Sequence, residues 1–373
     1  MWAWLDIDTA CILQWIEEEM GRWRERRYDP LTTLMMFIGQ AVSADRSCQD
    51  AVAREAAQTQ RPVGQNTGPY CRARQRLSLK LIQRLGFEVG ERLCTTQREA
   101  WRWRGREVKL IDGTTVSMPD TAANQHRFPQ SRTQKPGIGF PVARLVAIMS
   151  LSCGAVLKWT VGACEGKSSG ETSMLRELAH CFHAGDLVMA DRYYAGYITL
   201  ATLIDRGADI VTRQHQKRKT DFRRGKRLGK YGHIVEWPKP VRPLWMDADA
   251  YAALPDCLVL REVRIANWVV VTSLLDVDEV SRLELNALYA QRWQIEVNLR
   301  SIKWVMQMSV LRCMTPDRVE KEIAVHLLSY NLICAAIAQA AAIRDVHPRQ
   351  ISFKASLQLL RAFDSDRGHC PGA

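Results

Sequence analysis

The sequence lacks the features typical of membrane-spanning proteins, of secreted proteins and of proteins stabilised by a structural zinc ion. No apolar run approaches the ~20 residues of a spanning helix, and the longest candidate, 326–343, is interrupted by polar residues. The N-terminal segment has no positive region ahead of an apolar stretch, so we expect no signal peptide. The eleven cysteines form no C-x-x-C pair and no Cys/His cluster of zinc spacing. This predicts buried, reduced thiols in a cytoplasmic protein with no membrane partner.

What the sequence has in excess is positive charge. Its 52 Lys and Arg residues outnumber its 40 Asp and Glu residues, which gives a net charge of +12. Such a balance favours a polyanionic partner, nucleic acid first and an anionic membrane second. We expect no small-molecule substrate. There is no internal repeat or low-complexity tract, and 373 residues are enough for two or three domains.

The spacing of apolar residues divides the chain into regions of different character. The first has helical spacing and predicts a helical N-terminal DNA-binding module, in which Arg72, Arg74 and Arg76 either contact DNA phosphates or lie in a plain solvated loop. The second has the order strand, strand, strand, helix, strand, helix, strand, which predicts an α/β fold with a mixed sheet. A β-rich basic insertion, a second part of the core and a C-terminal tail follow. The predicted regions are 1–104, 105–212, 213–275, 276–345 and 346–373.

Two aspartates follow apolar runs that predict strands. Asp112 ends the run Leu-Ile-Asp and Asp191 ends the run Val-Met-Ala-Asp. A sheet can hold a carboxylate rigidly at a strand end while the loops admit a substrate. The alternative for either residue is an ordinary turn or helix cap.

A glutamate lies among three hydrogen-bond donors near the far end of the chain. Tyr289, Arg292, Glu296 and Lys303 are spaced by three, four and seven residues, in a segment without Gly or Pro. At ~100° per residue these side chains share one narrow sector of a helix, with the carboxylate in the middle. The alternative is a salt-bridged, solvated helix face. Three carboxylates gathered in one core would repel one another unless a hard divalent cation neutralised them, which indicates Mg²⁺ or Mn²⁺.

These motifs together resemble the DDE transposases of bacterial insertion sequences, and specifically insertion sequence family four. That family is marked by Tyr-x2-Arg-x3-Glu-x6-Lys, which is intact here from Tyr289 to Lys303. Its first aspartate is followed by Gly and Thr or Ser, as in Asp112-Gly113-Thr114, and its second lies in Asp-Arg-x-Tyr, as in 191–194. The resemblance covers residues 107 to 335.

The resemblance implies an RNase H-like catalytic core with Asp112, Asp191 and Glu296 as metal ligands. Two Mg²⁺ or Mn²⁺ ions would then support phosphoryl transfer, while Tyr289, Arg292 and Lys303 hold DNA phosphates. Trp268 corresponds to a tryptophan that stacks on a flipped base, with core packing as the alternative. The basic arm, residues 213–230, has nine Lys or Arg against one acid and either contacts the DNA backbone or is solvated. The further predicted DNA contacts are Arg192, Lys217, Arg218, Lys219, Arg223 and Arg224.

The function implied by the resemblance is DNA transposition, with binding of terminal inverted repeats, end cleavage and strand transfer. A homodimer on DNA is expected, in the bacterial cytoplasm at the nucleoid. Family members commonly have a longer C-terminal region that helps to pair two protomers, which leaves dimer assembly open for this chain. The alternatives are a nuclease of the same core without strand transfer, and an inactive or truncated relative retained as a DNA-binding protein.

Overall fold

The computed structural model describes residues 5, 7–24, 26–59, 66–135, 137–166 and 169–366. Of these, residues 364–366 are described by their backbone only. Thirteen α-helices and nine strands are formed by these described residues. The helices are α1 Thr9–Met20, α2 Pro30–Val42, α3 Cys48–Thr59, α4 Gly68–Arg76, α5 Leu79–Thr95, α6 Ala122–Arg127, α7 Glu171–Leu178, α8 Tyr197–Asp205, α9 Ala248–Ala252, α10 Arg282–Ala290, α11 Gln294–Arg300, α12 Pro316–Arg344 and α13 Phe353–Asp366. The strands are β1 Val108–Ser117, β2 Val142–Ser150, β3 Val156–Ala163, β4 Leu187–Ala190, β5 Asp209–Arg213, β6 Lys226–Arg227, β7 Gly232–Pro238, β8 Cys257–Ile265 and β9 Trp268–Thr272.

Helices α1 to α5 form the N-terminal region, and polar caps mark where several of them begin. Asp8 and Asp29 accept hydrogen bonds from backbone N–H groups in the first turns of α1 and α2. Helix α5 buries Leu81, Leu85 and Val89, which are spaced at four residues and therefore share one face. This face packs against α12, so the N-terminal region is joined to the rest of the fold through the core.

All nine strands belong to one mixed sheet with the order β3-β2-β1-β4-β5-β9-β8-β7-β6. Strands β1, β4 and β5 are parallel, whereas β2 and β3 extend one side as antiparallel neighbours. Strand β9 pairs antiparallel with β5, and β8, β7 and β6 continue from it. The segment from β6 to β9 therefore extends the sheet of the core instead of forming a separate sheet.

Helix α12 corrects the expectation that no segment resembles a spanning helix. It has 29 residues and is long and apolar enough to cross a membrane by length and composition. However, 83 % of its most apolar window is buried inside the fold, where it contacts α2, α5 and α13. A helix that is apolar all round is also what the centre of a large protein core requires.

The expectation that the cysteines are buried also differs from the structure. Of the ten cysteines among the described residues, only Cys153, Cys181 and Cys334 are buried, and Cys257 is exposed, so uniformly buried thiols were a wrong prediction. The predicted C-terminal tail contains helix α13, which packs against α12. Residues 367–373 of that tail lie outside the described residues.

Candidate active site

Asp112 lies in the middle of β1, not at the strand end that the sequence analysis predicted. Strand β1 continues to Ser117 because it pairs with β2 along its whole length, whereas its ladder with the shorter β4 ends at the pair Ile111 and Ala190. Asp191 follows β4 directly, as predicted. Asp112 and Asp191 therefore each lie one residue beyond the end of the ladder that β1 and β4 share.

Short-range hydrogen bonds fix the backbone around Asp191. Its Oδ1 accepts a hydrogen bond from Tyr193 N at 2.7 Å and thereby caps the short turn Arg192–Tyr194. Its carbonyl oxygen accepts from Thr212 Oγ1 on β5 at 2.9 Å. A carboxylate has two oxygens with about four lone-pair sites, so the capping bond leaves capacity for other ligands.

The environment of Asp112 disfavours a negative charge. Burial is the largest cause that raises the pKa of Asp112 to about 6, and the charges of Asp191 and Glu171 act in the same direction. A hydrogen bond from Gly113 N to Asp112 Oδ1, at 2.8 Å, and the charge of Arg292 oppose the rise. Carboxylates that share a half-buried site repel one another, and a bound cation would relieve this repulsion.

Glu171, the first residue of α7, is a fourth carboxylate that the sequence analysis missed. Its Oε2 accepts a hydrogen bond from Tyr194 OH at 3.2 Å. Gly113 leaves room for it, because a Cβ atom at Gly113 would lie 2.5 Å from the carboxyl carbon of Glu171. In the sequence, an acid in the first turn of a helix is common and stabilising, so Glu171 carries no functional signal of its own.

An open cleft of about 440 Å³ adjoins these carboxylates. Carboxylate, cationic and aromatic side chains share its wall, and Tyr193 and Arg192 are exposed. The lining residues are Arg144, Glu171, Asp191, Arg192, Tyr193, His215 and Gln216. This arrangement offers cationic and hydrogen-bonding groups to an anionic substrate immediately beside Asp191.

Glu296 lies on α11, which packs against β1. Its Oε1 is 2.5 Å from Arg292 Nη2, and its side chain is 52 % exposed. Burial opposes the charge of Arg292, but the hydrogen bond to Glu296 and the negative charges of Glu296 and Asp112 raise the pKa of Arg292 overall. Arg292 is therefore the electrostatic neighbour of both Glu296 and Asp112.

The helical segment that carries Glu296 is less regular than predicted. Helix α10 ends at Ala290, a tight 3₁₀ turn spans Gln291–Trp293, and a wide π turn, Ser301–Val305, follows α11. A 3₁₀ turn rotates more per residue than an α-helix and a π turn rotates less. The predicted alignment of all four motif residues at 3.6 residues per turn is wrong in this respect.

Tyr289 and Lys303, at the two ends of the motif, lie in different surroundings. Tyr289 is only 8 % exposed; burial raises its pKa to about 12, and Arg292, Asp191 and Arg213 are the charged groups around it. Its hydroxyl therefore stays protonated beside the aspartates. Lys303 is half-buried, and burial lowers the pKa of its ammonium group.

Trp268 and the basic arm lie further along the same sheet. Trp268 begins β9 and is 39 % exposed, with the guanidinium of Arg213 5.0 Å from its ring centroid. Within the arm, Arg223 and Arg224 both pair with Asp221, and Arg218 stacks on Trp237 at 3.7 Å. Five of the predicted contacts in the arm are exposed: Lys217, Arg218, Lys219, Arg223 and Arg224.

The donor set fits a hard divalent cation in its chemistry. Within the described ranges, no three His, Cys, Asp or Glu side chains converge closely enough to hold a metal ion. Asp112 and Asp191 are adjacent, but Glu296 is directed to Arg292. The oxygen-only donors suit Mg²⁺ or Mn²⁺, provided that Glu296 exchanges Arg292 for the ion.

Comparison with known proteins identifies the class of enzyme to which this fold and site belong. Residues 103–332 match the transposase DDE domain family, and the chain belongs to that family. It is therefore a DDE transposase, a polynucleotidyl transferase of the insertion-sequence type.

Two known proteins show how far the similarity extends. The chain is 28 % identical over 310 residues to transposase InsG for insertion sequence element IS4 from Escherichia coli, which covers 78 % of this chain and 67 % of that protein. Among solved structures, the piggyBac transposase in a synaptic complex with hairpin DNA has a similar fold, with a TM-score of 0.51 and 9 % identity. That alignment covers 99 % of this chain and 81 % of the other.

Proposed function

We propose that the sheet contains an RNase H-like core and that Asp112, Asp191 and Glu296 form its catalytic site. The five strands β3-β2-β1-β4-β5, with β1, β4 and β5 parallel, support this core. The observation that carries the catalytic site is the adjacency of Asp112 and Asp191 on neighbouring strands, with the helix of Glu296 packed against the first of them.

Asp112, Asp191 and Glu296 would hold two Mg²⁺ or Mn²⁺ ions, with Glu171 beside them. When bound, such ions lower the pKa of an attacking water or 3′-hydroxyl and stabilise the leaving oxygen. Because carboxylates repel a phosphate, their role would be to hold the ions, which would offset that repulsion. Glu171 keeps Tyr194, and with it the turn after Asp191, in place through its hydrogen bond.

The cationic and aromatic groups around the carboxylates would bind the DNA ends. Arg292, once released from Glu296, offers a planar two-pronged donor to a phosphate, and Lys303 acts as a point charge. Tyr289 is too buried to reach far into solvent. Its protonated hydroxyl would therefore donate a hydrogen bond to a DNA phosphate close to Asp191. Trp268 is exposed enough to stack on a flipped base, and the basic arm with Arg192 follows the DNA backbone.

This site would serve the transposition of an insertion sequence, by end cleavage and strand transfer after the terminal inverted repeats are bound by the helical N-terminal module and the basic arm. The structural neighbour was solved in a synaptic complex with hairpin DNA. We carry DNA binding from that neighbour to this chain, and the resemblance to insertion-sequence transposases leads us to propose a homodimer at the bacterial nucleoid.

One experiment separates this function from its alternatives. Purified protein is incubated with Mg²⁺ and a DNA that carries the ends of its own element, and the products are resolved on denaturing gels. Joined products support the transposase, nicks alone indicate a nuclease, and shifted but uncut DNA indicates a binding protein. Asp191→Asn is the matched control, since it should remove the chemistry and leave the DNA shift in place.

A further inference from the structure

A cavity of about 210 Å³ lies between the N-terminal helices and α12, and none of Asp112, Glu171, Asp191 and Glu296 lines it. Its wall comes from α2, the start of α3, α4, the loop after the π turn, and α12. Five cationic side chains line it against one carboxylate, that of Glu322. The cations are Arg46, Arg74, Arg312, Arg318 and Lys321.

Two of these arginines, the buried Arg46 and the half-buried Arg74, have no carboxylate partner among the described residues. Arg74 lies flat on Phe37, 3.9 Å from the ring centroid, and donates only to Gln40 Oε1 and to two cysteine sulfur atoms. Arg46 is 8 % exposed and donates to the carbonyl oxygen of Gln307 at 2.6 Å. No carboxylate of the described residues lies within ion-pair distance of either guanidinium. A buried charge without such a partner is costly, so a counter-ion is expected.

Unsatisfied nitrogen atoms belong to the same cavity wall. Arg46 Nε, Arg74 Nε and His326 Nε2 are buried and have no hydrogen-bond partner among the described residues. His326 is 2 % exposed, and its Nδ1 lies 2.8 Å from the carbonyl oxygen of Glu322, which places the proton on Nδ1. Burial lowers the pKa of His326, so the ring is neutral and Nε2 is an acceptor. Clusters of unsatisfied polar atoms indicate a bound polar species.

Glu322 offsets only part of this positive charge: its charge favours the charged forms of Arg46 and Arg74, but it forms no ion pair with either of them among the described residues. Its carboxylate accepts hydrogen bonds from the backbone N–H groups of Arg312 and Cys313, at 3.0 to 3.1 Å. Lys321 is already paired with Asp317 at 2.7 Å. The charges of Arg46, Arg74, Arg312 and Arg318 therefore leave a net positive potential in a cavity that opens near Arg312 and Met314, both of which are exposed.

We propose that this cavity binds a phosphate group, held by Arg46 and Arg74 at its base and by Arg312 at its mouth. Guanidinium groups match the oxygens of phosphate in geometry, and His326 Nε2 can accept a hydrogen bond from a protonated phosphate oxygen. Because Arg46 holds Gln307 and Arg312 donates to the carbonyl oxygen of Asp45 at 2.8 Å, the bound group would join the N-terminal helices to the loop that follows the π turn. This site is separate from the proposed catalytic carboxylates and does not depend on them.

The test is calorimetric titration of the full chain with inorganic phosphate at constant ionic strength under reducing conditions. We expect saturable binding of one phosphate per chain, weakened about tenfold or more by Arg74→Gln. Because Arg74 also packs on Phe37, Arg312→Gln at the exposed mouth is the second variant and should weaken binding with the fold intact. Arg206→Gln, an exposed arginine after α8, is the matched control and should bind as the unmodified chain does.

Cysteine labelling locates the phosphate site by a second method that does not rely on calorimetry. Cys48 and Cys71 line the cavity and are partly exposed, so bound phosphate should slow their alkylation while leaving that of the exposed Cys257 unchanged. If duplex DNA displaces inorganic phosphate and gives the same protection, the natural ligand is a DNA phosphate; if it does not, the ligand is free phosphate. The proposal would be overturned if phosphate binding were not saturable, or if Arg74→Gln and Arg312→Gln both bound phosphate as tightly as the unmodified chain.

Discussion

The two strand-borne aspartates and the helix-borne glutamate are held in different ways. Asp112 and Asp191 are positioned by the ladder between β1 and β4, and by hydrogen bonds within one or two residues of each. Glu296 lies on a helical segment interrupted by a 3₁₀ turn and a π turn, and its carboxylate is held by Arg292. The register of the strands thus fixes the two aspartates before any ligand binds, whereas Glu296 has to exchange one partner for another. Asp112 and Asp191 are the fixed half of the site, and Glu296 with Arg292 is the exchangeable half.

The cost of that exchange is small in energy. In the pair between Arg292 and Glu296 the carboxylate side chain is 52 % exposed and the guanidinium side chain 22 % exposed, so the value for exposed pairs is a lower bound. Exposed pairs at a spacing of four residues contribute only ~0.3–0.5 kcal/mol. A divalent ion near Asp112 and Asp191 can therefore compete with Arg292 for Glu296, and the release of Arg292 provides a cation for the DNA phosphate.

The largest effect is expected for the fixed half of the site. Asp112→Asn or Asp191→Asn removes a charged oxygen ligand that the sheet holds in place. Cleavage of element-end DNA should fall at least ~10³-fold, because metal ions supply several kcal/mol and each 1.36 kcal/mol is a factor of ten. Cleavage gels with Mg²⁺ measure the rate, and a gel shift should remain. Asp205→Asn, exposed at the end of α8, should cleave normally; activity above one hundredth in either site variant would contradict the assignment.

The next effect concerns the exchangeable half. Arg292→Gln removes both the partner of Glu296 and a phosphate contact. We expect the cleavage rate to fall by roughly 10²-fold, as for loss of one charge-stabilising donor. The Mn²⁺ concentration needed for half-maximal rate should fall as well, because no cation then competes for Glu296. Arg300→Gln, an exposed arginine at the end of α11, is the control, and an increased Mn²⁺ requirement in Arg292→Gln would mean that Arg292 does not compete.

The sequence predicts part of the difference between the aspartates and Glu296, because local residue patterns indicate where some strands end. The run before Asp191 is short and apolar, which predicted the end of β4 correctly. Asp112 was misplaced because the end of β1 is set by β2, a partner longer than β4 and distant in sequence. Around Glu296, α11 packs against β1 and the π turn packs against α12 and α13, and a helical period does not report such packing.

Burial is the other property that the sequence did not reveal. Arg72, Arg74 and Arg76 look alike in the sequence, yet Arg72 and Arg76 are exposed while Arg74 stacks on Phe37. Glu171 was missed for the same kind of reason, because its role comes from Gly113 and Tyr194, which meet it only in the folded chain. Such contacts between distant residues are decided by tertiary structure.

A smaller effect is expected where Glu171 supports the fixed half. Glu171→Gln keeps the size of the side chain and its acceptor for Tyr194 OH, but removes a charge near Asp112. Because the hydrogen bond is kept, the expected loss comes from the missing negative charge, which weakens the attraction of the site for a divalent cation, and we expect cleavage to fall about tenfold. Binding of Mn²⁺, measured by its paramagnetic relaxation of water, should weaken in parallel. Glu177→Gln, exposed near the other end of α7, is the control, and unchanged Mn²⁺ binding in Glu171→Gln would exclude the role.

The smallest effect tests how loosely the Glu296 segment is held. Ser281 caps α10: its Oγ accepts from Glu284 N at 3.2 Å, and its own N–H donates to Glu284 Oε2 at 2.9 Å. Ser281→Ala should destabilise this helix by about 1 kcal/mol. Hydrogen exchange should then quicken about fivefold for amides of α10 and leave those of β1 and β4 unchanged, since the ladder does not depend on the cap. Leu283→Ala, 71 % exposed on the same helix, should change neither; faster exchange throughout β1 would mean that strand and helix unfold as one unit, and the two halves of the site would not be separately held.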